Sequence, residues 1–158
     1  MTTVSLAGKV IALAGRGSDS DRAAAISCAE AGADLALATL VPDQASEFGM
    51  NSIANEAWVL GSEQFVRVMD ATDPNAIAAF VEETWARYGG CKAFVVTTGT
   101  PLALAEAFSR RMGGVGGGII VVCLGGEGLA AELSALAAEG VSVRLAPTES
   151  EVGATIAG

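Results

Sequence analysis

One stretch constrains the fold of this chain more than any other: Leu6 to Thr39, with the sequence LAGKVIALAGRGSDSDRAAAISCAEAGADLALAT. Val10 to Ala14 is an apolar run too short for a helix, and Gly15 to Gly17 predicts a turn directly after it. Asp19 to Gly32 is rich in alanine and ends at a glycine, as many helices do. Ala33 to Thr39 supplies a second strand. The stretch therefore predicts a strand, a glycine loop, a helix and a second strand in succession.

The rest of the chain continues this alternation of strands and helices. Further strands are predicted from four apolar runs, at residues 64–69, 93–97, 119–124 and 141–146. Helices are predicted between them, over residues 72–88, 101–112 and 126–139 and over residues 42–60, where Asn51 to Leu60 continues a segment opened by Pro42 and Asp43. Alternating elements favour right-handed crossovers and parallel pairing. We predict one α/β domain over residues 1–158, a doubly wound, mostly parallel sheet of about six strands between two helical layers.

Composition excludes several classes of function. The chain has 9 basic and 18 acidic residues and a net charge of −9, so it repels nucleic acid and anionic membrane surfaces. It contains no histidine, which excludes Ser-His-Asp and Cys-His catalysis and removes the commonest transition-metal ligand. The acidic pairs Glu82–Glu83 and Glu149–Glu151 are typical of solvated helix charges. We therefore expect neither a metal site nor a catalytic carboxylate pair.

The three cysteines and the amino-terminal sequence indicate the cellular compartment that we expect for this chain. Cys28, Cys91 and Cys123 form no closely spaced pair and lie in apolar segments, so buried free thiols are expected. The start of the sequence, MTTVSLAGKV, lacks a basic region followed by an apolar stretch, and no apolar run reaches the length of a membrane span. These features predict a cytoplasmic protein in a reducing environment.

Seven pieces of sequence, taken in order, resemble the short-chain dehydrogenase/reductase family. They are LAGKVIALAG, AEAGADLALA, MDATDP, ARYGG, FVVTTG, GGIIVV and AAELSALAAEGVSVRLAP, and they cover nearly the whole chain. The resemblance implies a Rossmann-type sheet that binds NAD or NADP. It also implies that this chain lacks the carboxyl-terminal substrate-binding segment and last strand of the family.

The catalytic residues of that family are missing from this sequence. The family uses a Ser, and a Tyr and a Lys spaced as Y-x-x-x-K on the helix after strand five, whereas this chain has only Tyr88, Lys9 and Lys92. Tyr88 and Lys92 have the family's spacing, but Gly89 and Gly90 end the helix between them, so the two side chains cannot share a helix face. Cys123 stands where the resemblance would place the serine. We therefore predict no catalytic residue in this chain.

The loop that would hold the cofactor also departs from the family pattern T-G-x-x-x-G-x-G. Aligned from Gly15, the two later glycines are replaced by Asp19 and Asp21. Aspartates at a helix N-terminus cap the amides that a pyrophosphate would occupy. Each like-charge contact at about 4 Å costs roughly 4 kcal/mol at an effective dielectric constant of about 20. Arg16 offsets part of this repulsion.

Six residues match cofactor-binding positions of the family. Thr39 stands where an acidic residue would hold the ribose of NAD, and Asp70 is equally well explained as a turn residue at the end of a strand. We predict that no dinucleotide is bound tightly, and that NAD or NADP is the ligand if one is bound. The matching residues are Gly15, Arg16, Gly17, Asp70, Ala71 and Gly99.

Three functions are compatible with these features. The first is a catalytically silent subunit, structural or regulatory, that pairs with an intact homologous oxidoreductase. Active members of the family assemble through the helices flanking strand five, which here are Pro101 to Met112 and Gly126 to Glu139. The same faces could instead only cover this chain's own sheet, or pair in a homo-oligomer. The second function is an NAD(P)-dependent oxidoreductase completed in trans, and the third is a small-molecule or acyl-binding module.

Overall fold

A computed structural model describes residues 5–114, 116–123 and 140–158 of the chain. Its six strands form one sheet in the order β3-β2-β1-β4-β5-β6, and every neighbouring pair is parallel. The strands are β1 Val10–Gly15, β2 Asp34–Thr39, β3 Gln64–Arg67, β4 Ala93–Val96, β5 Gly118–Val122 and β6 Val141–Leu145. The strand order reverses between β1 and β4, which is where open sheets of this kind form a crevice.

Helices cover both faces of this sheet. They are α1 Asp19–Glu30, α2 Gln44–Val59, α3 Pro74–Tyr88, α4 Leu102–Gly113 and α5 Val152–Ala157, the last preceded by a 3₁₀ turn at Glu149–Glu151. Local sequence explains the ends of α3. Asp73 caps its first turn by accepting a hydrogen bond from the Asn75 amide at 2.9 Å. Pro74 occupies the first position of the helix, where a backbone amide would have no partner within the helix. Gly89 ends the helix in the left-handed conformation at φ 75°.

Alternate side chains of each strand enter two different cores. One core, which includes Leu13, Leu37 and Val121, packs against α1, α2 and α5. The other packs against α3 and α4 and contains an aromatic group, in which Phe94 stacks on Phe108 at a centroid distance of 4.6 Å. The four inner strands, β1, β2, β4 and β5, are nearly all buried on both faces, as parallel strands between helical layers are. This arrangement fixes the strand ends that form the crevice.

The predicted fold class is confirmed: a doubly wound parallel sheet of six strands between two helical layers. The helical segment opened by Pro42 and Asp43 and its predicted continuation through Leu60 form one helix, Gln44–Val59. The predicted helix over residues 126–139 lies outside the described residues. Among the residues that the structure describes, no helix is both long and apolar enough to cross a lipid bilayer.

Candidate functional site

The crevice lies at the carboxyl ends of β1, β2 and β4, where ligands bind in sheets of this topology. It holds a cavity of about 240 Å³. The loop between β1 and α1, the residue after β2 and the residues after β4 supply its walls. The lining residues are Arg16, Ser18, Ser20, Asp21, Leu40, Thr97 and Thr98.

The Asp21 carboxylate organises the loop between β1 and α1. One of its oxygens, Oδ2, accepts hydrogen bonds from the backbone amides of Arg16, Gly17 and Ser18 at 2.9, 3.1 and 3.1 Å. The Ser18 hydroxyl accepts the Asp21 amide at 3.1 Å, which completes a capping box at the start of α1. Asp21 is only 4% exposed. The loop amides are therefore already bound by an anion that belongs to the chain itself.

Two glycines of the loop are required by packing within the chain. A side chain at Gly15 would overlap the Asp21 carboxylate. Gly17 has φ 82° and lies directly against Gly49 of α2. A methyl group added to Gly49 would be only 2.8 Å from Gly17 Cα and 2.9 Å from the Arg16 carbonyl oxygen. The glycine at each position thus has a structural explanation that involves no cofactor.

Leu40 joins three of the predicted cofactor residues. Its amide donates to the Gly15 carbonyl at 2.9 Å, and its carbonyl accepts the Ala71 amide at 2.9 Å. Its side chain lies 3.6 Å from where a methyl group on Gly99 would be. The structure therefore brings Gly15, Ala71 and Gly99 together around a leucine that sequence reasoning missed. The signal available was its place directly after β2, at the mouth of the predicted crevice.

The polar residues at the ends of β2 and β3 are engaged in backbone contacts. The Thr39 hydroxyl donates to the Met69 carbonyl and accepts the Met69 amide, both at 2.8 Å, and the residue is fully buried. Asp70 is exposed, and its Oδ1 accepts the Thr72 amide at 2.9 Å and the Thr72 hydroxyl at 2.6 Å, which lowers the pKa of its carboxyl group. Asp70 therefore makes a local turn at the start of α3, which agrees with the turn interpretation.

Arg16 and Asp19 lie at the outer rim of the loop, and both are exposed. The pKa of Asp43 is lowered mainly by its hydrogen bonds with Ser46 and also by the positive charge of Arg16. Arg16 thus lies near the acidic N-cap of α2. Asp19 is in the first turn of α1, but the hydrogen bonds to the loop amides come from Asp21. The two aspartates therefore differ in role, although both were predicted to cap the helix.

The tyrosine and both lysines of the chain lie at the edge of the sheet opposite the crevice. Tyr88 ends α3, and its hydroxyl donates to the Leu35 carbonyl near the start of β2 at 3.1 Å. Lys92 and Lys9 immediately precede β4 and β1. Burial, and then the nearby charges of Asp34 and Glu63, raise the pKa of Tyr88 to about 12. The prediction that Tyr88 and Lys92 are no catalytic pair agrees with this placement.

Cys123 follows β5, at the position that the family resemblance gives to a serine. Its amide donates to the Val96 carbonyl at 3.0 Å, and the residue is buried. Burial, followed by the charges of Glu149 and Asp21, raises the pKa of its thiol to about 12. Cys28 and Cys91 are likewise free and buried, which confirms the prediction of buried free thiols. None of the three thiols is suited to act as a nucleophile at neutral pH.

In the described ranges 5–114, 116–123 and 140–158, no group of three or more Cys, Asp or Glu side chains is arranged to hold a metal ion. The crevice contains hydroxyl groups, one arginine and one carboxylate that is already hydrogen-bonded. The described lining therefore offers a ligand hydroxyl groups and the Arg16 side chain as polar contacts.

Comparison by sequence gave no assignment, since no protein-family model and no curated protein matches the chain. Comparison by structure gave clear similarities. A short-chain type dehydrogenase/reductase from Mycobacterium marinum superposes with a TM-score of 0.71 at 18% identity, covering 99% of this chain and 90% of that one. A metagenomic short-chain oxidoreductase in complex with NADP gives 0.71 at 20% identity, with coverage of 99% and 90%.

A third similar structure is that of a protein in complex with NAD. Carveol dehydrogenase from Mycobacterium avium in complex with NAD gives a TM-score of 0.68 at 17% identity, covering 85% of this chain and 69% of that one. At these identities the comparisons establish a shared fold. The predicted resemblance to the short-chain dehydrogenases/reductases is thereby confirmed for the fold.

Proposed function

We propose that this chain, which has the fold of the short-chain dehydrogenases/reductases, is a catalytically silent member of that family. In this proposal it acts as a structural or regulatory subunit of a complex with an active homologous oxidoreductase. The fold supplies the packing surfaces of an oxidoreductase subunit. Fold alone does not determine activity, so the proposal depends on the chemistry of the crevice.

The carboxylate of Asp21 is the observation that carries the proposal. A dinucleotide phosphate binds such a loop through its backbone amides, and here three of those amides donate to Asp21 Oδ2. A phosphate would have to displace a buried carboxylate and then remain beside its charge. The crevice therefore does not fit the pyrophosphate of NAD or NADP, and Arg16 alone does not compensate for the repulsion.

The distribution of proton donors supports the same conclusion. The one tyrosine and the two lysines of the sequence are at the sheet edge opposite the crevice, and the sequence contains no histidine. Cys123, the side chain nearest to the family's serine position, is a buried thiol with a pKa of about 12. Carbonyl reduction requires a proton donor beside the substrate. This chain offers none from these residue types.

The outer surface of α4 is suited to a close subunit contact. Ala103 is exposed and Ala107 half-buried, so a neighbouring helix can approach closely. Glu106 and Arg110 form an ion pair at 3.4 Å beside them. A cavity of about 420 Å³ separates the first turns of α3 and α4 and is lined partly by Ala103, Glu106 and Arg110. A polar, solvent-accessible rim of this kind surrounds the buried centre of many subunit interfaces.

The decisive experiment is native mass spectrometry of the protein isolated from its source. We expect a stoichiometric complex with a larger dehydrogenase and no bound nucleotide on this chain. The variant that tests the contact is Ala103→Arg, which places a long charged side chain on the exposed face of α4. That variant should lose the larger subunit and keep its fold. A chain isolated alone, with a bound coenzyme, would contradict the proposal.

A second candidate is an NAD(P)-dependent oxidoreductase whose missing proton donor comes from a partner subunit. The observations that favour it are the two structural neighbours in complex with NADP and with NAD. The number of coenzymes bound per isolated complex distinguishes the two candidates, because only the second places a coenzyme on this chain. Under the second candidate, substitution of Asp21 would change the coenzyme affinity of the complex. Under the first, it would change only the stability of this subunit.

A further inference from the structure

The outer face of α2 carries large apolar side chains exposed to solvent. Phe48 is 77% exposed, Trp58 70% and Val59 77%. Between them, Ser52 and Asn55 are also exposed, and neither carries a charge. The chain has a net charge of −9, so an uncharged helix face with two exposed aromatic rings stands apart from its general composition. Exposed aromatic groups of this kind mark interaction surfaces.

The spacing of these residues gives the face a defined geometry. Phe48, Ser52, Asn55 and Val59 follow one another at intervals of four, three and four residues, which is the spacing of a coiled-coil seam. At about 100° per residue they fall within roughly 60° of the helix circumference. The pattern is also nearly palindromic about its midpoint. Apolar residues are at both ends, and small polar residues are at the centre.

We propose that α2 is a self-association surface, on which a second copy of this chain packs its own α2 antiparallel about a two-fold axis. In a symmetric pair, if residue i contacts residue j, then j contacts i. An axis midway along the seam places Phe48 of each copy against Val59 of the other, with Trp58 beside them. The same axis places Ser52 against Asn55, where the hydroxyl and the amide hydrogen-bond across the pair.

The near-palindromic pattern of the seam favours a second copy as the occupant of this face. Two chains of the same net charge repel each other, and the uncharged seam lowers this repulsion where the two copies meet. Glu56, which borders the seam, forms an ion pair with Arg22 and accepts its Nε at 2.7 Å. Long-range repulsion remains between the copies and is screened by salt. Association is therefore expected to strengthen as ionic strength rises.

The size of the face is sufficient for a small specific interface. Phe48, Trp58 and Val59 together present roughly 400 Å² of apolar surface, and a symmetric pair of α2 helices buries on the order of 1,000 Å² in all. This area is at the lower limit for specific association. We expect a weak dimer that forms at micromolar concentration, in which the aromatic side chains carry most of the affinity.

This surface is independent of the proposed subunit contact. The helix α2 packs on the same core as α1 and α5, whereas α4 packs on the core of the opposite face of the sheet. One chain can therefore contact a homologous oxidoreductase through α4 and a second copy of itself through α2. Failure of either contact leaves the other unaffected.

Sedimentation velocity of the purified chain tests the proposal. The wild-type chain should form a dimer at micromolar concentration, more strongly in high salt. Phe48→Glu and Val59→Glu should each weaken the dimer at least tenfold, since each places two charges in the seam. Leu145→Glu is the matched control, because Leu145 is 55% exposed on β6, at the other edge of the sheet. A wild-type chain that stays monomeric at about 100 μM, or a dimer unaffected by both seam variants, would overturn the proposal.

Cysteine cross-linking tests the antiparallel arrangement without depending on charged variants. A disulfide requires Cα atoms within about 7 Å. Chains carrying Phe48→Cys, mixed with tagged chains carrying Val59→Cys, should form the mixed disulfide, whereas Phe48→Cys alone should not, because its two copies lie roughly 16 Å apart along the helix. The native cysteines are buried, which leaves the introduced thiols as the reactive ones. Efficient Phe48→Cys homodimers would indicate parallel helices and contradict the arrangement.

Discussion

Replacement of Asp21 by alanine should destabilise the fold strongly. The carboxylate accepts three backbone amides at 2.9 to 3.1 Å and is 4% exposed. Loss of an N-cap contact typically costs about 0.5–2 kcal/mol, and hydrogen bonds to a charged group contribute about 1.5–3 kcal/mol each. Arg16 and Ser18 are exposed, so water can reach part of the loop after the substitution. We therefore expect a net loss of about 3 kcal/mol, less than the sum of the bonds.

The assay is thermal unfolding followed by circular dichroism, together with urea denaturation. For a domain of this size, about 3 kcal/mol corresponds to a decrease in Tm of about 6–12 °C. Asp19→Ala is the matched control, since Asp19 is exposed and contributes only a first-turn charge, worth about 0.3–1 kcal/mol. Asp21→Asn should fall between the two, because its amide oxygen accepts hydrogen bonds but carries no charge.

The comparison between the two alanine variants decides whether the reasoning holds. If Asp21→Ala and Asp19→Ala lower the Tm equally, the carboxylate does not organise the loop as described. If Asp21→Ala raises the Tm, charge repulsion at this site outweighs the three hydrogen bonds. Either result would also remove the main support for the proposed silent role.

Three further results are expected. Gly49→Ala should destabilise the chain by about 1–3 kcal/mol in urea denaturation, because the added methyl group meets the Gly17 backbone. This cost outweighs the better helix propensity of alanine. Gly90→Ala is the control, since Gly90 has open space around it, and it should have little effect in the same assay. Tyr88, the one tyrosine, should ionise near pH 12 in an absorbance titration. Because its folded pKa lies above the ordinary value of 10, its contribution to stability is complete below pH 10 and is lost as pH rises towards 12; a midpoint near pH 10 would contradict its burial. The three native thiols should react with a thiol reagent only upon unfolding, and rapid reaction of the native protein would contradict their burial.

Much of the fold could be predicted from the sequence, because the strands are short apolar runs and the helix ends carry local signals. Asp73 followed by Pro74 marked the start of α3, and Gly89 marked its end. The helix α2 was also predicted to continue to Leu60, but the sequence did not explain why a glycine, Gly49, lies within it. In the structure, the missing side chain allows the helix to lie against Gly17. That contact joins segments far apart in the chain and has no local signature.

The candidate site was predictable only in outline. The unfavourable charge at the loop followed from its two aspartates, but their different roles did not. The spacing of Ser18 and Asp21 is that of a capping box, and this signal could have singled out Asp21. The position of Leu40 between Gly15 and Ala71 depends on the alignment of neighbouring strands. Such long-range contacts cannot be derived from residue patterns alone.

Titration of the purified chain with NADH and NADPH, followed by calorimetry, tests most directly whether the Asp21 carboxylate keeps dinucleotides out of the crevice. We expect no saturable heat with either coenzyme up to about 1 mM, a concentration at which even a weak site with a Kd of 1 mM would be half occupied. A saturable isotherm with a micromolar Kd, abolished by a substitution at the exposed Arg16, would show that the loop binds a dinucleotide and that the Asp21 carboxylate does not exclude it.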